Sequence, residues 1–274
     1  MTLVTGSGGG IGRVLAAALG GAGARVALHD RSEVQLVEAR RLLLDSGVSC
    51  EAFTADLRSV ASCRQLIARV HASFGRLDIL VNCAGANKRE PVDEVLEETF
   101  DWIVAVNVRA PFFLSQAARR LMKAQGGGKI INVASLNAHY ALDTVAVYGL
   151  TKGALRQMTA EMAVEFAPDN IQVNALTPGF IVTPMNEESL WGVPRTRAWI
   201  LDRTPAGRPG MPDDVVGAVL FMASSAADFM TGQSLVVDGG FTAGGSWVYQ
   251  GEAGAEAGEA DPAPAVVTDG HRQS

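Results

Sequence analysis

Short apolar runs rich in β-branched residues alternate along the chain with segments whose apolar residues recur at helical spacing. The helical spacing is clearest at Leu155, Met158, Met162 and Phe166. Runs that are apolar at every position are typical of strands buried on both faces, and their alternation with helices indicates crossovers around a parallel sheet. Seven strands are predicted, over 3–5, 25–29, 51–55, 79–82, 129–133, 171–176 and 235–237. We therefore expect an α/β fold, doubly wound, with a seven-stranded parallel sheet flanked by helices.

The length of 274 residues suits one such domain over 1–245. Within it, residues 180–212 carry five prolines and two tryptophans, which predicts a long connection with short helices, typical of a functional lid. Residues 246–274 are rich in Ala, Gly, Glu and Pro, a composition that predicts a disordered acidic tail. The first predicted strand begins almost at Met1, which predicts either a natural start upstream of this residue or a loss of stability.

Composition and charge argue against several classes of protein. The chain has 23 Lys and Arg against 29 Asp and Glu, a net charge of −6, with no basic stripe that would bind nucleic acid. Its three cysteines form no close pair and have no histidine at ligand spacing, so we expect neither a disulfide framework nor a metal site. No apolar stretch approaches the roughly 18 residues of a membrane helix, and the N-terminus lacks an export signal. We expect a cytoplasmic protein that binds no membrane.

A glycine-rich turn, TGSGGGIG over residues 5–12, follows the first predicted strand. Glycines there permit positive φ and let the backbone approach a pyrophosphate, whose charge is favoured by the N–H groups of a helix that begins near Ile11. Neither the G-x-G-x-x-G pattern nor the Walker pattern fits this spacing. The turn therefore indicates a nucleotide-binding site of another kind.

Asp30 closes the second predicted strand, where a carboxylate can accept hydrogen bonds from the adenosine ribose and repel a 2′-phosphate. This position favours NAD as the cofactor. Arg31 follows it directly, and a guanidinium there can hold the 2′-phosphate of NADP, so NADP stays the alternative. Capping of the next helix is the purely structural interpretation of Asp30.

Tyr148 and Lys152 stand four residues apart in a predicted helix and so share one face. The ammonium there can stabilise a phenolate, which makes Tyr148 a candidate base for a hydroxyl and acid for a carbonyl. Ser135 ends the fifth predicted strand and can hydrogen-bond a substrate oxygen as charge develops on it. A tyrosine–lysine pair alone is typical of an exposed helix surface. The presence of Ser135 and of the glycine turn in the same chain favours a catalytic role for the pair.

In this order and spacing, the motifs resemble those of the short-chain dehydrogenase/reductase family. The turn matches the family pattern T-G-x-x-x-G-x-G, the helix carries Tyr-x-x-x-Lys, and the resemblance extends from about residue 3 to 245. It implies a Rossmann-type domain, NAD(P)-dependent hydride transfer at CH–OH groups, and assembly as a homotetramer or homodimer. The catalytic residues that it implies are Asn107, Ser135, Tyr148 and Lys152. The cofactor contacts that it implies are Gly6, Gly10, Ile11, Gly12, Asp30, Arg31, Asp56, Leu57, Asn82, Ala84, Gly85, Tyr148, Lys152, Pro178, Gly179 and Thr183.

Within this resemblance, Asn107 matches a family residue with a known role, whereas Cys83 departs from the family pattern. In the family, the residue matching Asn107 holds a water that connects the lysine to solvent. Cys83 stands where the family has the second asparagine of N-N-A-G, and we interpret it as a small buried side chain with an ordinary thiol.

Three stretches, residues 83–92, 127–136 and 200–212, resemble gluconate 5-dehydrogenases and 2-deoxy-D-gluconate 3-dehydrogenases, which implies a sugar acid as substrate. Lys88 and Arg89 offer cations for its carboxylate, and Arg89 is better suited to bidentate contact. Further candidates, for contact with sugar hydroxyls, are Asn137, His139, Asn186 and Trp191. The alternatives are a 3-oxoacyl-carrier-protein reductase or general alcohol dehydrogenase with the same chemistry, and an NAD-binding sensor without turnover.

Overall fold

Seven strands form one parallel sheet in the order β3-β2-β1-β4-β5-β6-β7. The computed structural model describes residues 1–245, and the predicted tail over 246–274 lies outside the described residues. The strands are β1 (Thr2–Thr5), β2 (Val26–Asp30), β3 (Cys50–Thr54), β4 (Ile79–Asn82), β5 (Gly128–Val133), β6 (Ile171–Pro178) and β7 (Ser234–Val237). The α/β fold with a seven-stranded parallel sheet is confirmed.

Eight α-helices connect or follow these strands within the described residues. They are α1 (Gly10–Gly21), α2 (Glu33–Asp45), α3 (Val60–Phe74), α4 (Glu97–Val104), α5 (Ala110–Ala124), α6 (Ala146–Phe166), α7 (Pro194–Asp202) and α8 (Val216–Ala223). The region 180–212 contains α7 and a π-helical turn, Glu187–Trp191, as the prolines there predict. None of the helices over residues 1–245 is both long and apolar enough to span a bilayer.

Alternate residues of each central strand enter two separate apolar layers. Leu80 of β4 and Ile130 of β5 pack with α3, α5 and α6 on one face, whereas Val81 and Ile131 pack with α1, α2 and α8 on the other. Successive side chains of a strand point to opposite faces, so a strand covered on both sides must be apolar at every position. This is the physical origin of the uninterrupted apolar runs in the sequence.

The strand ends differ from the prediction by one or two residues. The second strand runs over Val26–Asp30 rather than 25–29, and the third over Cys50–Thr54 rather than 51–55. Arg25 precedes β2, although its carbonyl accepts the N–H of Thr2 at 2.9 Å, whereas Asp30 stays in register with Thr54 of β3. Polarity of a side chain does not show where backbone pairing stops.

The strand order reverses beside β1, because β2 lies on one side of it and β4 on the other. The loops that follow β1 and β4 therefore leave the carboxyl edge in opposite directions and open a crevice between them. A methyl group added at Gly6 would lie 2.8 Å from the Cα atom of Ala84, so the two loops touch at their base. In open α/β sheets, ligands bind at such a reversal.

Candidate active site

The glycine turn between β1 and α1 has the conformation that its sequence predicts. Gly6 (φ +67°) and Gly10 (φ +50°) both occupy the left-handed region that side chains disfavour. A methyl group added at Gly12 would overlap the carbonyl oxygen of Gly6, so the turn folds tightly against the start of α1. The cradle that these glycines leave open, with the unpaired N–H groups of the helix start beside it, fits a pyrophosphate.

Asp30 lies against the same turn. Its Oδ1 accepts the N–H of Ser32 at 3.0 Å, and its Oδ2 accepts the N–H of Gly8 at 3.3 Å. Capping of α2 by Asp30 is wrong, because Ser32 is the cap and accepts the N–H of Gln35. Each carboxylate oxygen of Asp30 keeps a further lone pair, so the residue can still accept hydrogen bonds from a ribose beside the turn.

The polar residues near the end of β3 face solvent. Asp56 forms an ion pair with Arg58 at 2.6 Å, and the hydrogen bond from that guanidinium lowers the pKa of the Asp56 carboxyl. Arg31 is exposed, and its charge contributes to the same shift. Leu57 is buried in the core. Because Asp56 is paired with Arg58, Asp30 and Arg31 are the two charged candidates here for contact with an adenosine ribose.

Tyr148 and Lys152 lie on one face of the first turns of α6. The Lys152 ammonium is 5.4 Å from the centroid of the Tyr148 ring. It is only 4% exposed, and it donates to the carbonyl of Val133, at the end of β5, at 2.8 Å. Because an unpaired ammonium is costly in the interior, this carbonyl holds the positive charge in place. The ammonium is therefore held in a fixed position beside the Tyr148 ring.

Asn107 lies in a π-helical turn, Ala105–Arg109, that joins α4 to α5. Its Oδ1 accepts the N–H of Ala86 at 2.7 Å, and its Nδ2 donates to the Ala86 carbonyl at 2.9 Å and to Thr151 Oγ1 at 3.0 Å. π-Helical turns recur at functional sites, since they place one residue out of the regular helical register. The side chain of Asn107 thus joins the loop after β4 to the helix that carries Tyr148.

The loop after β4 passes beside these groups. A methyl group added at Gly85 would lie 3.7 Å from Asn107 Oδ1 and 3.8 Å from Lys152 Nζ. The amide of Asn82 turns into the core and donates to an amide oxygen on β5 at 2.8 Å, so it supports this loop from below. Cys83 is half-buried rather than fully buried as predicted, and desolvation raises the pKa of its thiol to about 11, which agrees with an unreactive side chain at that position.

Ser135 follows β5 at the same edge of the sheet. Its Oγ accepts the N–H of Asn137 at 3.2 Å and donates to the Asn137 Oδ1 at 3.4 Å. Asn137 also donates to the carbonyl of Tyr140 at 3.3 Å, so its amide is engaged within its own loop. His139 lies 3.3 Å from the hydroxyl of Ser234 on β7, and burial lowers the pKa of this histidine.

The lid begins directly after β6. Pro178, expected to follow that strand, is instead its last residue and pairs with β7, at a strand end where a missing N–H is tolerated. A methyl group added at Gly179 would lie 2.6 Å from the Cα atom of Asp238, so only glycine permits this approach. Thr183 faces the glycine turn, because a methyl group added at Gly10 would lie 3.9 Å from its Cβ.

Asn186 and Trp191, the two lid residues predicted to contact a substrate, differ in whether their hydrogen-bonding groups are already paired. Asn186 Oδ1 accepts the N–H of Thr183 at 2.9 Å, and its Nδ2 donates to the carbonyl of Ile181 at 2.8 Å. These bonds make the Asn186 amide a support of the turn that carries Thr183. The indole N–H of Trp191 is buried and has no hydrogen-bond partner within residues 1–245, so it keeps a donor for a ligand.

Four aromatic rings attach the lid to the loops after β5 and β7. The Phe241 centroid lies 5.1 Å from that of Phe180, 5.2 Å from Tyr140 and 5.9 Å from Trp199 on α7. Aromatic pairs at such distances contribute about 0.5–1.5 kcal/mol beyond the burial of their surface. The cluster holds α7 beside the loop that follows Ser135.

Lys88 and Arg89 have different surroundings on the loop after β4. The Lys88 ammonium forms an ion pair with Glu90 at 2.5 Å and donates to Thr99 Oγ1 at 3.4 Å. Arg89 is exposed and forms no ion pair with any residue of 1–245. Of the two cations expected to meet a substrate carboxylate, Arg89 is therefore the one whose charge is not already compensated.

Two threonine hydroxyl groups that the sequence did not predict also contribute to the site. Thr5 Oγ1 accepts the N–H groups of Cys83 at 3.0 Å and Ala84 at 3.1 Å, which fixes the loop after β4 to the glycine turn. Thr151 Oγ1 donates to the carbonyl of Tyr148 at 2.7 Å. Both threonines lie inside the motifs themselves, and this position was the only signal in the sequence that they contribute.

Known proteins are similar to this chain over most of its length. Residues 6–242 match the family model described as Enoyl-(Acyl carrier protein) reductase. The 5-keto-D-gluconate 5-reductase of Escherichia coli K12 is 37% identical over 238 residues, which cover 87% of this chain and 93% of that protein. The gluconate 5-dehydrogenase of Gluconobacter oxydans 621H is 37% identical over 240 residues, which cover 88% and 93%.

A solved structure is also similar to this chain. It is that of a gluconate 5-dehydrogenase from Burkholderia cenocepacia J2315 in complex with NADP and tartrate. It is 41% identical to this chain, has a TM-score of 0.85, and the match covers 88% of this chain and 94% of that one.

Replacement of Gly12 tests the cradle. Because a methyl group at this position overlaps the Gly6 carbonyl, Gly12→Ala must displace the turn. We expect it to raise the Kd of NADH and NADPH at least about tenfold in calorimetric titrations, which corresponds to about 1.4 kcal/mol of binding free energy. Gly21→Ala, at the other end of α1, is the matched control, since a methyl group there meets no atom within 4 Å. Equal affinity of the Gly12→Ala variant and the control would contradict the assignment.

Proposed function

This chain belongs to the short-chain dehydrogenase/reductase family, and we propose that it moves hydride between NAD(P) and the CH–OH carbon of a gluconate-type sugar acid, through a proton relay of Asn107, Ser135, Tyr148 and Lys152. The observation that carries the proposal is the buried Lys152 ammonium, 5.4 Å from the Tyr148 ring and anchored on a strand-end carbonyl. A structural helix pair would not require burial of the charge.

In this proposal, each side chain has a distinct role. A bound nicotinamide supplies the hydride acceptor for alcohol oxidation and the donor for ketone reduction. Tyr148 removes the hydroxyl proton or returns it, and Lys152 stabilises the phenolate. Ser135 donates a hydrogen bond to the substrate oxygen, which requires its hydroxyl to leave Asn137 Oδ1. Asn107 holds the loop after β4 against α6, which preserves the position of both proton-transfer groups.

The cradle for the cofactor has two parts. Gly6, Gly10, Ile11 and Gly12 would receive the pyrophosphate, and Asp30 would receive the adenosine ribose. At the other end, Pro178, Gly179 and Thr183 would contact the nicotinamide amide. Support comes from the proximity of Thr183 to Gly10, which brings both ends of such a cradle to one crevice.

Arg89 is proposed to bind the carboxylate of the substrate. A guanidinium forms bidentate hydrogen bonds with a carboxylate, and that of Arg89 is exposed and without an ion pair within residues 1–245. Trp191 is proposed to donate its unpaired indole N–H to a substrate hydroxyl. Names of the relatives support this substrate class, since they act on gluconate or its keto form.

The proposed activity can be tested by the change in NAD(P)H absorbance on a panel of hexonates, ketohexonates, acetoacetyl thioesters and simple secondary alcohols. We expect turnover of the hexonate class. Tyr148→Phe should lower kcat about 100- to 10,000-fold with little change in NADH affinity, because only the proton-transfer group is removed. Preferred turnover of the thioesters would favour a 3-oxoacyl-carrier-protein reductase instead. Wild-type rates in Tyr148→Phe would contradict the relay.

Cofactor preference rests on Asp30 and Arg31. We propose that NAD is preferred, because the Asp30 carboxylate lies beside Gly8 of the turn, where it repels a 2′-phosphate. Asp30→Ala should shift the ratio of kcat/KM for NAD over NADP toward NADP by about tenfold, about 1.4 kcal/mol. Asp45→Ala removes an exposed carboxylate from the far end of α2 and should leave the ratio unchanged. An unchanged ratio in Asp30→Ala would reject this preference.

We propose a homotetramer, with a homodimer as the smaller alternative. Exposed apolar side chains support self-association: Phe100 and Phe112 on α4 and α5, and Phe229 and Val236 at or near β7, which is an edge strand of the sheet within residues 1–245. Phe229 is fully exposed, and exposed apolar patches mark interaction surfaces. A cytoplasmic location stays a prediction.

Light scattering after gel filtration tests this assembly. The wild type should elute at about four times the chain mass of 28.7 kDa. Phe112→Asp and Phe229→Asp should each reduce the mass, since a buried unpaired carboxylate opposes association. Val34→Asp, on the exposed face of α2, is the control and should not change it. A monomeric wild type would contradict the assembly.

A further inference from the structure

Two hydrogen-bond acceptors on the loop after β4 have no donor among residues 1–245. The side chain of Glu90 is 10% exposed, and its Oε2 is 2.5 Å from the Lys88 ammonium. Its Oε1 is buried and has no hydrogen-bond partner within residues 1–245, and the same is true of Asn87 Oδ1. A buried carboxylate oxygen without a donor is unfavourable, and most such groups in proteins are paired. Two unpaired acceptors three residues apart therefore require an explanation.

The loop that carries them runs between groups of the proposed catalytic site. It begins at Gly85, beside Asn107 and Lys152, and at Glu90 its backbone N–H donates to the carbonyl of Thr144 at 2.8 Å. Thr144 lies four residues before Tyr148 and has a φ of +59°. The loop therefore begins beside Lys152 and is hydrogen-bonded at Glu90 to the segment that leads into α6.

Charge at this position suits an anionic ligand that also has hydroxyl groups. The Lys88 ammonium compensates the Glu90 carboxylate, so the pair presents an acceptor without net negative charge. Arg89 lies between them in sequence and is exposed. A carboxylate on the guanidinium and hydroxyls on the two acceptors would satisfy all three groups at once.

On the basis of the proposed function, we propose that Glu90 Oε1 and Asn87 Oδ1 form a hydroxyl-binding subsite that selects polyhydroxylated acids. Because both atoms are buried in this structure, the loop that carries them must shift by about the width of a hydroxyl to admit the ligand. Both atoms only accept hydrogen bonds, and hydroxyls along a sugar acid are donors. A ketone with a hydrocarbon tail would leave both acceptors buried and unpaired. Sites built to bond a hydroxyl strongly reject analogues that lack it.

The test combines variants with substrates that lack one hydroxyl. We would measure kcat/KM of the wild type, Glu90→Gln and Asn87→Ala for gluconate and for each monodeoxygluconate. In the wild type, removal of the bonded hydroxyl should lower kcat/KM about 10- to 100-fold. In the variants, gluconate should lose a similar factor, whereas the monodeoxy compound without that hydroxyl should lose little more. Glu94→Gln, an exposed carboxylate three residues beyond Pro91, is the control with the same charge change.

Asn87→Ala keeps the Lys88–Glu90 ion pair, so it provides a result even if Glu90→Gln does not fold. Thermal unfolding and NADH affinity would establish that each variant is intact. Equal losses for gluconate and for every monodeoxy compound, or no loss at all, would overturn the subsite while leaving the proposed function standing. A wild type that oxidises no hexonate would overturn both.

Discussion

The bond from the Lys152 ammonium to the Val133 carbonyl is the interaction on which the site depends. It brings a positive charge into a place that is 4% exposed and holds it at the end of a strand, 2.8 Å from its acceptor. An ammonium in a low dielectric acts strongly on its neighbours, and Tyr148 is the neighbour within reach of proton chemistry. The rest of the site keeps this charge near the phenol and near the crevice.

Three kinds of support serve that purpose. The parallel sheet brings the ends of β1, β4, β5 and β6 to one edge, because every strand runs in the same direction. Thr5 and Asn107 then fix the loop after β4, one to the glycine turn and the other to α6. The aromatic cluster around Phe241 holds the lid over the loop after Ser135. Each support joins segments that are distant in sequence, so the crevice is defined by contacts between separate elements rather than within one loop.

Sequence reasoning located all seven strands, the glycine turn and the helix of Tyr148, because each depends on residues within a few positions of one another. It favoured Arg89 over Lys88 from the geometry of the guanidinium, but it could not show that Glu90 compensates the Lys88 charge, since that ion pair depends on how the loop folds. It also could not see that the amide of Asn186 is consumed within the lid. A sequence does not show whether a given lysine or asparagine is free to bind a ligand, because its hydrogen-bond partners are set only by folding.

The amino-acid sequence dictates the architecture and the chemistry of the motifs. Apolar runs require strands covered on both faces, glycines permit the left-handed turn, and a spacing of four places phenol and ammonium together. Folding brings distant groups into contact: Lys152 with a carbonyl 19 residues away, and Thr5 with an N–H 79 residues away. Local conformation follows from neighbouring residues, whereas burial and partners follow from the packing of distant segments, and these set which polar atoms remain for a ligand.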